Sequence, residues 1–391
     1  MCIRQDNKIN QKKIISSLCF VLLIISYFIK NPYISELLFW ISVYKLSIWS
    51  HTGYSEHNVI SFRLIVAYLL LFAMHIHLNP INVQVDIRLY GLTKNIIMIP
   101  IMLWIWPILN KQMADLSLVI TCYICVAYMI MPKVMEGYFS TNAIVALGTV
   151  AMPYAIYNIF IKKKILYIIS VLICAISFFY IDSETLILIL CLQIAIIFFG
   201  FITCKYMIKN DRKIYYLLAV MGIFVLVIGI PFVLRTESLY LDLFDKFTKI
   251  NMDRAFIWNN GIRQFESKSL TEKIFGTGNN LVQMQTIQHA GHNAILEMLL
   301  IYGFCGLILF IIETLYVIKI FLHIEKKKVF YIALAAWVGT YIEFMTHPFY
   351  STFYIQKIVF ITCLRVYSDT KCLKVGGMHE INKIFDKSEF K

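Results

Sequence analysis

Residues 294–321 read AILEMLLIYGFCGLILFIIETLYVIKIF, an apolar run interrupted only by Glu297, Glu313 and Lys319. A helix of this length is long enough to cross a hydrocarbon core about 30 Å thick. It is also apolar around its whole circumference, which an ordinary surface helix is not. The segment leading into it, Asn251–Glu297, has the opposite character. It reads NMDRAFIWNNGIRQFESKSLTEKIFGTGNNLVQMQTIQHAGHNAILE and holds Arg254, Arg263, His289 and His292.

Elsewhere the long apolar run is the rule and the polar stretch the exception. Of 391 residues, 60% are apolar and only 15% charged, too apolar for a typical globular domain. Further apolar cores lie at 14–29, 34–50, 61–78, 96–110, 115–132, 142–161, 165–181, 185–204, 214–234, 329–346 and 352–367. The cores lack the apolar/polar alternation of barrel strands. The expected fold is therefore an all-α polytopic membrane protein with about 12 transmembrane helices. One large extracytoplasmic loop falls between spans 9 and 10. Residues 1–234 form an N-terminal membrane bundle of about nine spans, 235–293 the loop with short helices, 294–367 the last spans and 368–391 a cytoplasmic tail. The cores least typical of a span are 34–50, which carries Lys45, and 96–110, which carries Pro100 and Pro107.

The net charge of +13 does not indicate nucleic acid, because the basic residues cluster in short links between the cores. Arg4, Lys8, Lys12 and Lys13 precede the first core. Lys111, Lys162–Lys164, Lys205–Lys213 and Lys326–Lys328 follow even-numbered ones. With twelve spans these all fall on one side, the cytoplasmic side by the positive-inside rule, together with both termini. The other side receives the 79–95 loop, the 132–141 loop, the large loop and the turn at 347–351. The expected location is the bacterial cytoplasmic membrane, with the lipid bilayer as partner and an uncleaved first helix. None of the ten cysteines falls in the large loop, and Cys122 and Cys125 lie inside an apolar run, as buried small hydrophobes do.

Within the large loop, Leu239, Leu243, Phe247 and Ile250 recur at helical spacing. Asn251 is placed to cap a helix that puts Arg254 in its first turn. Ser269 and Glu272 have capping-box spacing, and Gly276 is placed to stop that helix. Asn293 is placed to cap the span that follows.

No Walker loop, zinc motif or nucleophile elbow is present. Chemistry, if any, falls to Arg, His and Asn at the outer surface. Two readings stand for His292 and Asn293. In one they are an interfacial residue and a cap. In the other, the helix N-terminus beside them favours neutral imidazole, a competent base, and attracts an anion. Arg254 and Trp258 form either a surface cation–π pair or a phosphate clamp beside an aromatic. Arg235, Arg263 and Arg88 also fall outside, against the positive-inside bias. Either an anionic lipid-linked substrate or the six acidic residues of the loop accounts for them. Glu313 and Glu343, ionisable groups inside apolar cores, are functional candidates by default, ranked below the loop because the alternative is that both simply reach the membrane interface.

The ordered set Arg254-Ala-Phe-Ile-Trp258, Phe275-Gly-Thr-Gly278, His292-Asn-Ala-Ile-Leu-Glu297 and Tyr302-Gly-Phe-Cys-Gly306 resembles the O-antigen polymerase and ligase family. Gly137-Tyr-Phe-Ser-Thr-Asn142 resembles that family's short outer loop ending in Asn. The resemblance implies glycosyl transfer outside the membrane, without metal or cofactor, from an undecaprenyl-pyrophosphate-linked oligosaccharide. His292 would be the base on the acceptor hydroxyl and Arg254 the pyrophosphate holder, with Asn293 and Asn142 nearby. Flippase and chain-length regulator proteins are the implied partners. The family's Ser-Arg-Gly at the outer start of the eighth span is absent: Asp182-Ser-Glu184 stands there, and Arg235, Arg263 or Arg88 would have to supply the second arginine. This departure favours a polymerase of repeat units over a ligase. A glycolipid flippase or transporter is a third possibility, for which one expects paired broken helices and charged residues at the membrane midplane.

Overall fold

A computed structural model describes residues 2–26, 29, 31–50, 56–78, 83–133, 141–180, 184–206, 258–277, 294–346 and 354–369. The described residues are helical, with no strand among them. In chain order the helices are α1 (Cys2–Ile25), α2 (Pro32–Ser50), α3 (Glu56–Leu78), α4 (Val83–Trp104), α5 (Lys111–Ile130), α6 (Thr141–Phe160), α7 (Ile168–Tyr180), α8 (Glu184–Tyr206), α9 (258–266), α10 (Leu270–Phe275), α11 (Ala294–Leu322), α12 (Lys327–Thr346) and α13 (Tyr354–Ser368). Every expected span falls on a helix except 214–234, which lies outside the described residues.

Local chemistry sets several boundaries. Asn31 Oδ1 accepts from the amides of Tyr33 at 3.0 Å and Ile34 at 3.2 Å, starting α2. Asn110 Oδ1 accepts from Met113 N at 3.1 Å and starts α5. The span expected at 96–110 is displaced at both ends. Its helix starts at Val83, so the expected 79–95 loop is mostly helix. Asp86, Arg88 and Lys94 make that segment polar, but polarity does not stop a helix, and the buried Lys94 is neutralised by Glu36 at 2.6 Å. At the other end α4 stops at Trp104, followed by a 3-10 turn over Trp106–Ile108. Pro107 has no N–H to donate to the carbonyl of Leu103, so an α-helical ladder cannot run through it.

α13 is the central element. It packs against α4, α5, α6 and α12, and every residue from Ile355 to Leu364 is buried. α12 lies along α8 and α6, while α3 pairs with α4 and α11. Gly200 of α8 faces Tyr331 of α12, and Gly339 of α12 faces Gln193 of α8. A Cβ on either glycine would come within 2.2 Å of its partner. Gln193 uses this closeness to donate across the helices to Thr149 O at 2.6 Å and Ala335 O at 3.0 Å.

The helix ends that carry the basic links also meet one another. Lys328 at the start of α12 lies 5.4 Å over the Phe201 ring near the end of α8. Asp115 of α5 accepts from Tyr154 of α6 at 2.7 Å and from Tyr167 at 2.8 Å. Arg365 of α13 donates to Trp106 O at 3.3 Å. On the outside, large apolar residues stand exposed at helical spacing: Leu37, Ile41, Tyr44 and Ile48 on α2, and Phe304, Ile308, Ile311 and Leu315 on α11. Among the described residues two helices, Lys111–Ile130 and Ile295–Leu322, are long and apolar enough to cross a membrane by length and composition.

Candidate functional site

The described part of the polar segment is a short helical hairpin seated on the first turns of α11. Ser269 caps α10 with the expected box: Ser269 Oγ accepts from Glu272 N at 3.3 Å, and Glu272 Oε2 accepts from Ser269 N at 2.9 Å. These bonds to Ser269 hold the Glu272 carboxyl below its usual range. The helix ends as expected at Gly276, whose N–H donates to Glu272 O at 2.7 Å. One turn earlier, α9 docks through Phe265 onto Leu296 and Leu300, and edge-on to Phe304 with ring centroids 5.3 Å apart. Gly261 lets α9 approach, since a Cβ there would stand 2.6 Å from Leu296.

α11 is not the uninterrupted helix that its apolar run suggests. It breaks at Gly303, with φ 64° and ψ −161°. Gly276 has φ 83° and ψ 174°. Both fall in a region of backbone space that is essentially reserved for glycine. The two residues abut: a Cβ on Gly276 would lie 2.0 Å from Ile301 O, and one on Gly303 would lie 2.5 Å from Gly276 N. Gly276 of the Phe275–Gly278 motif and Gly303 of the Tyr302–Gly306 motif, far apart in sequence, are thus the two sides of one backbone-to-backbone seam.

A breach in a helix disturbs its hydrogen-bond ladder, and Leu300 O at this breach takes donors from the hairpin. Lys268 Nζ donates to it at 2.7 Å, Thr277 Oγ1 at 3.1 Å and Thr277 N at 3.4 Å. Lys268 Nζ also donates to Thr277 Oγ1 at 2.9 Å. A cation at the C-terminal end of the half-helix 294–302 opposes the negative pole of its dipole. Partial burial nonetheless lowers the Lys268 pKa to about 8, with Glu272 opposing the shift. Behind the seam lie groups from other helices. Tyr302 Oη shares a 2.8 Å hydrogen bond with Thr93 Oγ1 of α4, and its ring lies edge-on to buried His75 of α3 at 5.5 Å.

The expected site residues divide as follows. His292, Asn293, Arg254 and Arg235 lie outside the described residues, as do His289, Asn251 and the amphipathic stretch at 239–250. Arg263 and Trp258 are both exposed on α9. Arg88 falls within α4 rather than a loop, and Asn142 falls in the first turn of α6. Sequence reasoning missed Lys268 because a lysine in a polar loop carries no signal of its own; only the fold seats it on Leu300. Glu313 and Glu343 lie in the apolar helices α11 and α12. Both are buried within the bundle, as is Lys357, because α13 is central and surrounds them with helices. Among the described residues no His, Cys, Asp or Glu cluster is arranged to hold a metal ion. Comparison with protein-family models gives no match, and no characterised protein compared with the chain matches it.

Proposed function

We propose that this chain is a multi-pass membrane protein and that the hairpin seam carries glycosyl transfer. A polymerase would join undecaprenyl-pyrophosphate-linked oligosaccharide repeats into O-antigen or capsular polysaccharide at the outer face of the cytoplasmic membrane. Membrane insertion is supported by the two long apolar helices and by exposed apolar faces that would be costly in water. One observation carries the functional reading. Two of the four motifs behind the family resemblance, far apart in sequence, form a single glycine seam stabilised by Lys268. A third motif, His292–Glu297, runs into the half-helix that this seam terminates.

In this scheme His292 takes the proton of the acceptor hydroxyl, and Arg254 stabilises the departing pyrophosphate. Diphosphate is already a good leaving group and needs charge stabilisation more than protonation. Arg235, Arg263, Arg88, Asn293 and Asn142 are the other substrate-side candidates. In a strain lacking the gene, glycan gels should show single-repeat glycan without a ladder. His292→Ala and Arg254→Ala should fail to restore it although the protein inserts normally. A normal ladder in both variants removes this mechanism. A ligase would instead accumulate lipid-linked polymer that is not transferred.

A second reading, a lipid-linked glycan transporter, has its own support in the break at Gly303 and in buried Glu313 and Lys357. Broken helices and interior charges are what such a protein uses. Repeat units trapped on the cytoplasmic side of a deletion strain would favour it.

A further inference from the structure

Two basic links, 161–165 (IKKKI) and 324–329 (IEKKKV), hold six lysines against one acid, Glu325. All six lysines are exposed. The links are far apart in sequence, and the fold brings them to one place. Lys162 Nζ lies 5.8 Å from the centroid of the Tyr157 ring, in the last turn of α6. Lys328 Nζ lies 5.4 Å from that of Phe201, near the end of α8. Phe160 joins the two, its ring meeting Phe201 at 5.2 Å. Thr203 Oγ1 donates to Tyr331 Oη at 3.4 Å and ties α12 to α8 at the same end. An apolar stripe leads up to this patch. Ile194, Phe198 and Phe201 are spaced i, i+4, i+7 and so share one face of α8. Ile194 is 51% exposed, Phe198 61% and Phe160 59%.

Helix chemistry does not account for these lysines. Lys163 has φ 54°, the left-handed backbone that favours glycine. Lys327 and Lys328 stand in the first turn of α12, which holds no acid, although the positive pole of a helix disfavours cations. The positive-inside bias asks only that basic residues lie on one side of a membrane, not that two links gather round one aromatic pair. An anion offsets such a gathering of like charge, and an apolar stripe that ends at it suits an acyl chain. We propose that the two links and the α8 stripe bind one anionic phospholipid of the bilayer. Its phosphate lies between Lys162–Lys164 and Lys326–Lys328, and an acyl chain runs along Ile194, Phe198 and Phe160. A soluble anion would make no use of the stripe. This inference rests on the chain being a membrane protein and not on the transfer reading.

The test is photolabelling of the purified full-length protein in phosphatidylcholine vesicles that carry a trace of photoactivatable phosphatidylglycerol. Label should map to 158–166, 194–204 and 324–331. Added phosphatidylglycerol should suppress it, and added glycerol phosphate should not. Replacing all three lysines of either link by Gln should lower labelling about tenfold or more, since each lysine at a membrane surface contributes about fivefold in affinity. The same charge change made at Lys8, Lys12 and Lys13 should lower it far less. Lys163→Gly relieves the backbone, so this variant should melt no lower than the wild type while its labelling falls about fivefold. An equal loss in the Lys8, Lys12 and Lys13 variant makes the effect one of net charge and overturns the proposal. Label spread evenly along the chain, or missing from the three segments because a second copy covers them, also overturns it. So does suppression by glycerol phosphate, which marks a soluble-anion site. A chain that does not enter phosphatidylcholine vesicles overturns the membrane reading as well, whereas entry without these labels overturns this inference alone.

Discussion

At the hairpin seam, Gly276 and Gly303 set backbone against backbone; between α8 and α12, Gly200 and Gly339 each receive a side chain from the facing helix. All four positions are crowded, but the glycines of the two seams are needed for different reasons. The α8–α12 pair keeps helical backbone, so it requires only space. The hairpin pair requires space and also positive φ, and the atoms that crowd it cannot rotate away. The first seam is an ordinary way of bringing two apolar helices together. The second builds a fixed polar joint between the hairpin and α11.

The largest effect expected from this contrast is that of Gly303→Ala or Gly276→Ala. Backbone strain of about 1–3 kcal/mol adds to a clash with main-chain atoms, so the hairpin should come off α11. Limited proteolysis should then cut within 258–277 while the remaining helices stay protected. Protection equal to wild type would show the seam to be dispensable. Next comes Gly200→Ala, where a methyl group meets the Tyr331 side chain. Overpacking of this sort costs about 1–3 kcal/mol, read as lowered thermal stability in detergent. Adding Tyr331→Ala should recover part of the loss. No side-chain truncation should recover Gly303→Ala, and rescue there would erase the distinction between the seams.

A smaller change is expected for Lys268→Met, which removes the bonds to Leu300 O and Thr277 Oγ1. Hydrogen bonds to charged groups are worth about 1.5–3 kcal/mol, less the relief of an incompletely solvated charge. Hydrogen exchange at Thr277 should quicken in this variant. The smallest effect concerns pH. The Lys268 pKa is lowered in the fold, to about 8 from 10.5, so the unfolded chain binds more protons between these values. Stability must therefore rise with pH across that window. The wild type should gain on Lys268→Met between pH 8 and pH 10.5 in paired thermal melts, and parallel curves would remove the shift.

Local signals were readable in advance. The Ser269–Glu272 box and the Gly276 stop needed only spacing, because capping is chemistry within four residues. Helix positions were readable for the same reason: long apolar runs leave a chain few alternatives. The break at Gly303 was hidden, since a glycine inside an apolar run is compatible with an unbroken helix. The start of α4 was misread because Asp86, Arg88 and Lys94 look like loop residues until Glu36 of α2 is seen to neutralise Lys94. Lys268 and Lys357 were invisible as structural cations, because their acceptors are backbone carbonyls 32 and 262 positions away.

By itself, then, the sequence determined which segments are helices, where α10 caps and stops, and where polar residues concentrate, for these follow from short-range hydrogen bonding and hydrophobicity. Only the tertiary structure decided that α13 is central, that Glu313, Glu343 and Lys357 are interior, and that two distant glycine motifs form one joint. Those outcomes depend on which helices become neighbours, and neighbour choice is made by shape and electrostatic fit across hundreds of residues, which no local pattern encodes.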